Sequence, residues 1–186
     1  MNWGTHKIMA NKLILLNGPA GLGKTTIARR YATEHSLSLS LEGDSVMDMI
    51  GNWRNFEIKA RELKLAHIIS MAKIHLKSGY DVILPYLVTD STHVEKFETL
   101  ATESNSRFIE VILTTEKETA VRRLLQRGVW GEAGSKQLTK NDVPRIEGLY
   151  ELMLSESEKR PRMKKLSYIE DNIDETYNNF LNLLTE

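Results

Sequence analysis

The sequence predicts an α/β protein in which helices cover both faces of a parallel β-sheet. Two observations support this fold class. Short apolar segments of strand length alternate with longer segments whose apolar residues recur at helical spacing. In addition, the first apolar run, Leu13–Leu16, is followed by a glycine-rich turn and then by an amphipathic helix. Strand, turn and helix in that order form the repeating unit of such folds.

Four elements are predicted in the first half of the chain. Leu13–Leu16 has the length of a buried strand and ends at the turn Asn17-Gly18-Pro19. Thr25–Thr33 is predicted to be a helix, and Leu37–Leu41 alternates Leu with Ser, which is the period of a strand. Phe56–Lys77 is predicted to be a long helix because its apolar residues form one stripe: Leu65, Ile68, Ile69, Ala72 and Leu76.

The second half continues the alternation of strands and helices. Asp81–Leu87 and Phe108–Leu113 are predicted strands, and between them Ser91–Thr102 is a predicted helix capped by Ser91 or Thr92. The remaining segments are a helix, a loop, a helix, a short strand and a helix, at Thr115–Arg127, Gly128–Asp142, Val143–Leu154, Leu166–Ile169 and Asp174–Leu184.

Length and composition limit the classes of function. The 186 residues fit one domain, and 25 Lys and Arg balance 25 Asp and Glu. A nucleic-acid-binding protein usually has a basic excess, so we expect no nucleic-acid partner. The expected partner is a small-molecule acceptor, and the chain is expected to be a monomer or dimer. The absence of Cys excludes disulfides and Cys-ligated zinc. Met1–Asn11 lacks the apolar core of a signal peptide, so we expect a cytoplasmic protein without a membrane partner.

The segment with the most specific pattern is Gly18-Pro19-Ala20-Gly21-Leu22-Gly23-Lys24-Thr25, which fits G-x-x-x-x-G-K-[ST] at every position. Its glycines let successive backbone N–H groups point at phosphate oxygens, and the following helix directs its positive end at them. In this motif Lys24 reaches the β- and γ-phosphates and the Thr25 hydroxyl binds Mg²⁺. Thr26 is a further predicted nucleotide contact. The motif as a whole predicts ATP and Mg²⁺ as the cofactors.

The position of this loop, the small size, Gly43-Asp44 after the second strand and an Arg-rich helix before a Gly-rich segment resemble the small-molecule P-loop kinases. This group includes gluconate kinase, shikimate kinase, chloramphenicol phosphotransferase and the nucleoside monophosphate kinases. The resemblance implies a three-layer P-loop NTPase fold with a five-stranded parallel sheet, in one domain over residues 1–186. It also implies a substrate-binding helical segment at about 53–78 and a short lid at about 128–142.

Three further residues are candidate catalytic groups. Asp44 stands just beyond the carboxyl end of a strand, where ligands bind in open α/β sheets. The resemblance implies that Asp44 orients or deprotonates the acceptor hydroxyl, the alternative being that it only caps a short helix. Arg123 and Arg127 share a helical face. Similar kinases use such a pair to neutralise the transferring phosphoryl group and to stack on adenine or bind phosphate.

The acceptor and metal contacts are predicted less directly. Arg54 and Arg61 would share a face if the long helix extends back to Arg54, and guanidinium groups suit a carboxylate or phosphate on the acceptor. Tyr86, at a strand end, is a third candidate contact. Many relatives end the third strand with a carboxylate that supports Mg²⁺, but here Pro85 occupies that place. Asp44 or Asp90 is the expected substitute, acting through water.

The sequence therefore predicts ATP-dependent transfer of the γ-phosphate to a hydroxyl of a small metabolite, with a sugar acid favoured. An antibiotic phosphotransferase and a nucleoside or nucleotide kinase are alternatives of the same class. A nucleotide-binding regulatory module with little catalysis is an alternative of another class, supported by Pro85 in place of a carboxylate. A hydrolytic GTPase is disfavoured because no N-K-x-D motif occurs.

Overall fold

A parallel sheet of five strands organises the computed structural model, which describes residues 11–185. Its strands are β1 (Lys12–Asn17), β2 (Leu39–Ser40), β3 (Val82–Pro85), β4 (Arg107–Thr114) and β5 (Lys164–Ser167). They lie in the order β2-β3-β1-β4-β5, and every neighbouring pair is parallel. The predicted five-stranded parallel sheet is therefore confirmed. The expectation for Met1–Asn11 lies outside the described residues, apart from Asn11.

Seven α-helices connect or flank these strands in the described part of the chain. They are α1 (Lys24–Glu34), α2 (Gly43–Asp48), α3 (Glu57–Lys77), α4 (Ser91–Glu103), α5 (Lys117–Arg127), α6 (Val143–Glu158) and α7 (Ile173–Thr185). Two 3₁₀ turns, Trp53–Phe56 and Lys140–Asp142, precede α3 and α6. Within residues 11–185, none of the helices combines the length and apolar character needed to cross a membrane.

The central strand β1 pairs with β3 and β4 along its two sides, and helices cover both of its faces. Leu13–Leu16 are 0% exposed, as expected for a strand covered by helices above and below. Successive side chains of a strand point to opposite faces. Leu13 and Leu15 accordingly pack in a cluster with α3 and α4, whereas Ile14 and Leu16 pack in a second cluster with α1 and α7.

Asn17 holds the carboxyl end of β1 and is itself fully buried. Its Oδ1 accepts hydrogen bonds from the N–H groups of Gly18, at 2.8 Å, and Val88, at 2.9 Å. Its Nδ2 donates to the Val88 carbonyl at 3.3 Å. Because buried polar groups need hydrogen-bond partners, this side chain ties the start of the glycine-rich loop to the chain that leaves β3.

Three local predictions need correction. The second strand pairs only over Leu39–Ser40, because Leu37 has a φ of 60°, outside the extended region. The third strand ends at Pro85 rather than Leu87. The cap of α4 is Asp90, not Ser91 or Thr92. One Asp90 oxygen accepts from the backbone N–H of Thr92 at 2.9 Å and from its hydroxyl at 2.7 Å.

Candidate functional site

The glycine-rich loop leaves β1 and leads directly into α1, which begins at Lys24. Gly18 and Gly21 have φ angles of 146° and 86°, which L side chains rarely adopt. A Cβ atom on Gly18 would lie 2.7 Å from the carbonyl oxygen of Leu113 in β4. One on Gly21 would lie 3.1 Å from backbone atoms of Leu124 in α5. The loop is thus held closely between the sheet and α5.

Lys24 is the first residue of α1 and is only 9% exposed. Its Nζ donates a hydrogen bond of 2.8 Å to the Pro19 carbonyl inside the loop. Burial lowers the pKa of Lys24 to about 7; nearby Asp44 raises this pKa and Arg127 lowers it further. The ammonium group therefore lies in a desolvated place where a phosphate anion would stabilise its charged form.

Thr25 and Thr26 follow in the first turn of α1, the part of a helix whose free N–H groups bind anions. Within residues 11–185, no group of three or more His, Asp or Glu side chains is arranged to hold a metal ion. Mg²⁺ is usually held by one or two protein ligands together with substrate phosphates. The Thr25 hydroxyl beside bound phosphates fits that pattern, and a cage made of protein carboxylates does not.

Asp44 lies in the first turn of α2, just after β2. The N-cap of α2 is Glu42, and no side chain caps this helix by a hydrogen bond, so the structure gives Asp44 no capping role. Its carboxylate lies directly against the loop that follows α5. A Cβ atom on Gly131 would come within 1.4 Å of Asp44 Oδ2. The second strand and the predicted lid therefore meet at this carboxylate.

Charges from four parts of the chain act on Asp44. Asp44 is exposed to solvent, yet the protein around its carboxylate removes enough water to raise its pKa, and Glu132 in the predicted lid adds to the increase. Three cations from α3, α1 and α5 oppose this increase: Lys64, Lys24 and Arg127. Asp44 is thus brought together with two of the predicted catalytic residues, Lys24 and Arg127, and its raised pKa suits a group that accepts a proton.

The two predicted arginines of α5 have different surroundings. Arg127, the last residue of the helix, forms no ion pair with any residue between 11 and 185, and it acts electrostatically on both Lys24 and Asp44. The guanidinium group of Arg123 lies 5.5 Å from the centre of the Tyr168 ring and 3.5 Å from an Asp171 carboxylate oxygen. Arg127 belongs to the Lys24 and Asp44 cluster, and Arg123 is directed to the β5 side.

The segment predicted to be a lid, residues 128–142, is attached to the rest of the protein at two places. Trp130 packs in an apolar cluster with Leu124 and Ile146, and the Arg145 guanidinium lies 5.2 Å from its ring centre. Farther along, the Ala133 N–H donates to Asp48 Oδ2 at 2.9 Å. The Ala133 carbonyl accepts a hydrogen bond from the guanidinium group of Arg54. Trp130 therefore anchors the lid by packing, and residues beside α2 hold the lid over Asp44.

The predicted acceptor contacts Arg54 and Arg61 do not share a helical face. Arg54 belongs to the 3₁₀ turn, and Phe56, with a φ of −133°, separates that turn from α3. Arg54 lies over the Trp53 ring at 4.3 Å, in addition to its bond to the lid. Arg61 is exposed and pairs with Glu57 at 2.5 Å. The long helix begins at Glu57, close to the predicted start at Phe56, so the extension to Arg54 on which a shared face depended does not occur.

Tyr86 packs beside Gly43, the residue before Asp44, and its ring also contacts Lys64, which was not among the residues predicted for the site. The Tyr86 ring packs against Gly43, where an added Cβ would lie 2.2 Å from Cε2. Lys64 of α3 is 6% exposed, and its Nζ lies 4.9 Å from the centre of that ring. A signal was present in the sequence, since Lys64 stands four residues from both Ala60 and Ile68 on the buried face of α3.

The third strand lacks a carboxylate at the edge where the site lies. Pro85, its last residue, pairs with Leu16 at that edge. Asp81 precedes the strand at the opposite edge and accepts hydrogen bonds from the Lys12 N–H at 2.7 Å and the Tyr31 hydroxyl at 2.5 Å. Hydrogen bonds from Thr92 lower the pKa of Asp90. Of the two carboxylates predicted to support Mg²⁺, only Asp44 interacts electrostatically with Lys24.

Comparisons with known proteins agree with this geometry. The profile of a protein family described as an AAA domain matches residues 13–145, well over half of the chain. No curated protein sequence matches. Three solved structures show the same fold over nearly their whole length.

The first is a gluconokinase from Sinorhizobium meliloti 1021, with a TM-score of 0.62 and 16% identity, covering 95% of this chain and 93% of that chain. The second is the Mycobacterium tuberculosis APS kinase CysC in complex with AMPPNP and APS, with a TM-score of 0.60, 18% identity and coverage of 96% and 99%. The third, named APE1195, has a TM-score of 0.63, 20% identity and coverage of 95% and 96%.

We expect ATP binding to be coupled to proton uptake by Lys24. With a pKa of about 7, much of the free protein carries neutral Lys24 at a pH of about 8, and bound phosphates favour the charged form. A second pKa of phosphate lies near 6, so ATP is almost fully ionised there. Affinity should therefore fall as the pH rises from about 7 towards the higher pKa of Lys24 in the complex. Calorimetric titrations in buffers of different ionisation enthalpy measure the uptake.

The matched control is Lys24→Arg, whose guanidinium remains charged at every accessible pH. Any ATP binding by this variant should lack the proton uptake, and Lys24→Met should lose most of the affinity. Wild-type binding without proton uptake, or affinity that increases above a pH of about 7, would contradict the role of the buried lysine.

Proposed function

The chain belongs to the AAA domain family, and from this premise we propose that it is an ATP-dependent phosphotransferase that phosphorylates a hydroxyl group of a small molecule. The observation that carries the proposal is the cluster of Lys24, Asp44 and Arg127 at the carboxyl edge of the sheet. A gluconokinase and an APS kinase with AMPPNP and APS share the fold, which supports ATP as the donor and a small hydroxylated acceptor.

The glycine-rich loop and α1 form the donor half of the proposed site. Backbone N–H groups of the loop and of the first helical turn bind the phosphates, and Lys24 leaves the Pro19 carbonyl to contact the β- and γ-phosphates. Thr25 is the residue that would hold Mg²⁺. When bound, Mg²⁺ neutralises charge on the phosphate oxygens.

Arg123 and Arg127 of α5 divide the remaining donor contacts. Arg127 shares the surroundings of Lys24 and Asp44, so we assign it to the transferring phosphoryl group, where charge spreads over the equatorial oxygens. Arg123 lies beside Tyr168 on the β5 side, so we assign it to the nucleotide base. A planar guanidinium group can stack on an aromatic base while it stays charged.

Asp44 serves the acceptor half as the general base. The acceptor oxygen attacks the γ-phosphorus, the bond from this phosphorus to the β–γ bridging oxygen breaks, and ADP leaves with that oxygen. The acceptor proton passes to Asp44, whose raised pKa favours this transfer. Gly131 of the proposed lid packs against the carboxylate, and Asp48 and Arg54 hold this segment in place. Closure of the lid over a bound acceptor would keep water from competing with it.

A nucleotide-binding regulatory module is the second candidate. The observation that favours it is Pro85 at the carboxyl end of β3, where relatives carry a metal-supporting acid. Turnover separates the two candidates, because a regulatory module would bind ATP without forming a phosphorylated product.

We expect Asp44→Asn to lower kcat by about 10²- to 10⁴-fold, since the amide cannot accept the proton. The Kd for ATP should change by less than about threefold, because Lys24 and the loop remain. Phosphorylated product and ADP should be measured with a panel of sugar acids, nucleosides and aminoglycoside or amphenicol antibiotics.

Glu103→Gln is the isosteric control, an exposed acid of α4 that pairs with Lys73 away from the loop. It should retain wild-type turnover. Full activity of Asp44→Asn would remove Asp44 from catalysis. ATP binding by the wild type without product from any acceptor would favour the regulatory module.

We expect the two arginine variants to separate kcat from KM. Arg127→Met should lower kcat by on the order of 100-fold or more, because it removes charge that stabilises the transition state. Arg123→Met should raise the KM for ATP by about 3- to 10-fold, the typical value of a stacked cation, with little effect on kcat. Steady-state kinetics with varied ATP checks both expectations.

Arg122→Met is the control, since Arg122 points away and pairs with Glu170 at 2.8 Å. It should behave as the wild type. Equal effects of Arg123→Met and Arg127→Met on kcat would contradict the division of roles.

A further inference from the structure

Lys64 is a largely buried lysine whose Nζ still contacts solvent. It is 6% exposed, whereas Lys59 and Lys73 of the same helix are exposed and form ion pairs with acidic side chains. Within residues 11–185, Lys64 forms no hydrogen bond or ion pair. Its Nζ lies over the Tyr86 ring, 4.9 Å from the ring centre.

Such a position is costly for a charged side chain. Burial of most of the side chain reduces the hydration of its ammonium group, and a cation–π contact compensates for only about 0.5–2 kcal/mol. A methionine of similar length would fill the same space without this cost. Lys64 is therefore difficult to explain as a stabilising core residue, and its charge fits a ligand that provides the missing anion.

The surroundings of Lys64 place that ligand on the acceptor side. Lys64 acts electrostatically on Asp44, the proposed general base, and Tyr86 connects it to Gly43 at the start of α2. Its other titratable neighbour is His93 of α4. Burial is the main cause of the lowered pKa of His93, and Lys64 lowers it further.

The donor phosphates have other cations. The charges that act on Lys24 are those of Asp44 and Arg127, from α2 and α5. Lys64 reaches the cluster from α3. An anion bound by Lys64 would therefore lie across Asp44 from the phosphate loop, where the acceptor must present its hydroxyl group.

We propose that Lys64 binds an oxyanion of the phosphoryl acceptor, a carboxylate or a phosphate, next to Asp44. This inference rests on the proposed phosphotransferase function and specifies its substrate class. The acceptor is an anionic, hydroxylated small molecule, and Lys64 with Tyr86 forms the part of the site that selects it over uncharged alcohols.

The test compares wild type and Lys64→Met by thermal unfolding with three probes in the presence of saturating AMPPNP, which fills the phosphate loop. The probes are gluconate, glucose 6-phosphate and uncharged glucitol. Gluconate, glucose 6-phosphate or both should raise the Tm of the wild type, the responding anion identifying carboxylate or phosphate, and glucitol should not. In Lys64→Met the affinity for that anion should fall by roughly 10- to 100-fold, the usual effect of losing a charged hydrogen bond.

Three further results separate a ligand role from a structural one. Without ligands, Lys64→Met should unfold at the same Tm as the wild type or at a higher one, because the buried charge is gone. Lys73→Met, on the exposed face of α3, should bind the anion as the wild type does. The KM for ATP of Lys64→Met should be unchanged.

A wild type that neither anion stabilises, or a Lys64→Met variant that binds them with unchanged affinity, would overturn the inference. Loss of stability in unliganded Lys64→Met together with unchanged anion binding would assign Lys64 a structural role. The same unfolding measurements are repeated without AMPPNP. If AMPPNP alone does not raise the Tm of the wild type, the proposed function is contradicted, and this result is independent of the response to the anions.

Discussion

Burial of β1 in the middle of a parallel sheet is the constraint on which the rest of the structure depends. The strand is covered on both faces and paired on both sides, so its direction determines that of its neighbours. Because all strands run the same way, the chain leaves β1, β2 and β3 at one edge. The glycine-rich loop, Asp44 and Tyr86 follow these three ends, and Asn17 joins two of them by buried hydrogen bonds.

Desolvation gives this edge its chemical character. The pKa of Lys24 is lowered to about 7 and that of Asp44 is raised, and burial is the main cause in both cases. Lys64 and Arg127 add positive charge that is not matched by ion pairs among the described residues. An excess of positive charge around Asp44, part of it on the buried residues Lys24 and Lys64, is well suited to two anionic ligands, a nucleotide triphosphate and an anionic acceptor.

Much of the fold could be predicted from the sequence because its signals are local. The apolar run of β1, the stripe of α3 and the phosphate-loop pattern depend on residues close together in the chain. Asp44 could also be predicted as a site residue, since a carboxylate just after a strand of a parallel sheet lies at the ligand-binding edge.

The contacts that could not be predicted connect distant parts of the chain. Arg54 bonds to Ala133, 79 positions away, and local sequence patterns carry no information about a contact over that separation. Lys64 of α3 meets Tyr86, which follows β3, only through the tertiary packing of the folded chain. The capping of α4 by Asp90 was missed because three consecutive residues there are all suitable caps.

The central claim is that both halves of a phosphoryl transfer meet at Asp44. Phosphorus NMR of one reaction mixture, containing the wild-type protein, ATP, Mg²⁺ and the acceptor that binds, tests it most directly. The expected spectrum shows ADP and a new phosphomonoester growing in equal amounts, without inorganic phosphate. Growth of inorganic phosphate in place of the phosphomonoester, or a spectrum of unchanged ATP, would contradict the claim.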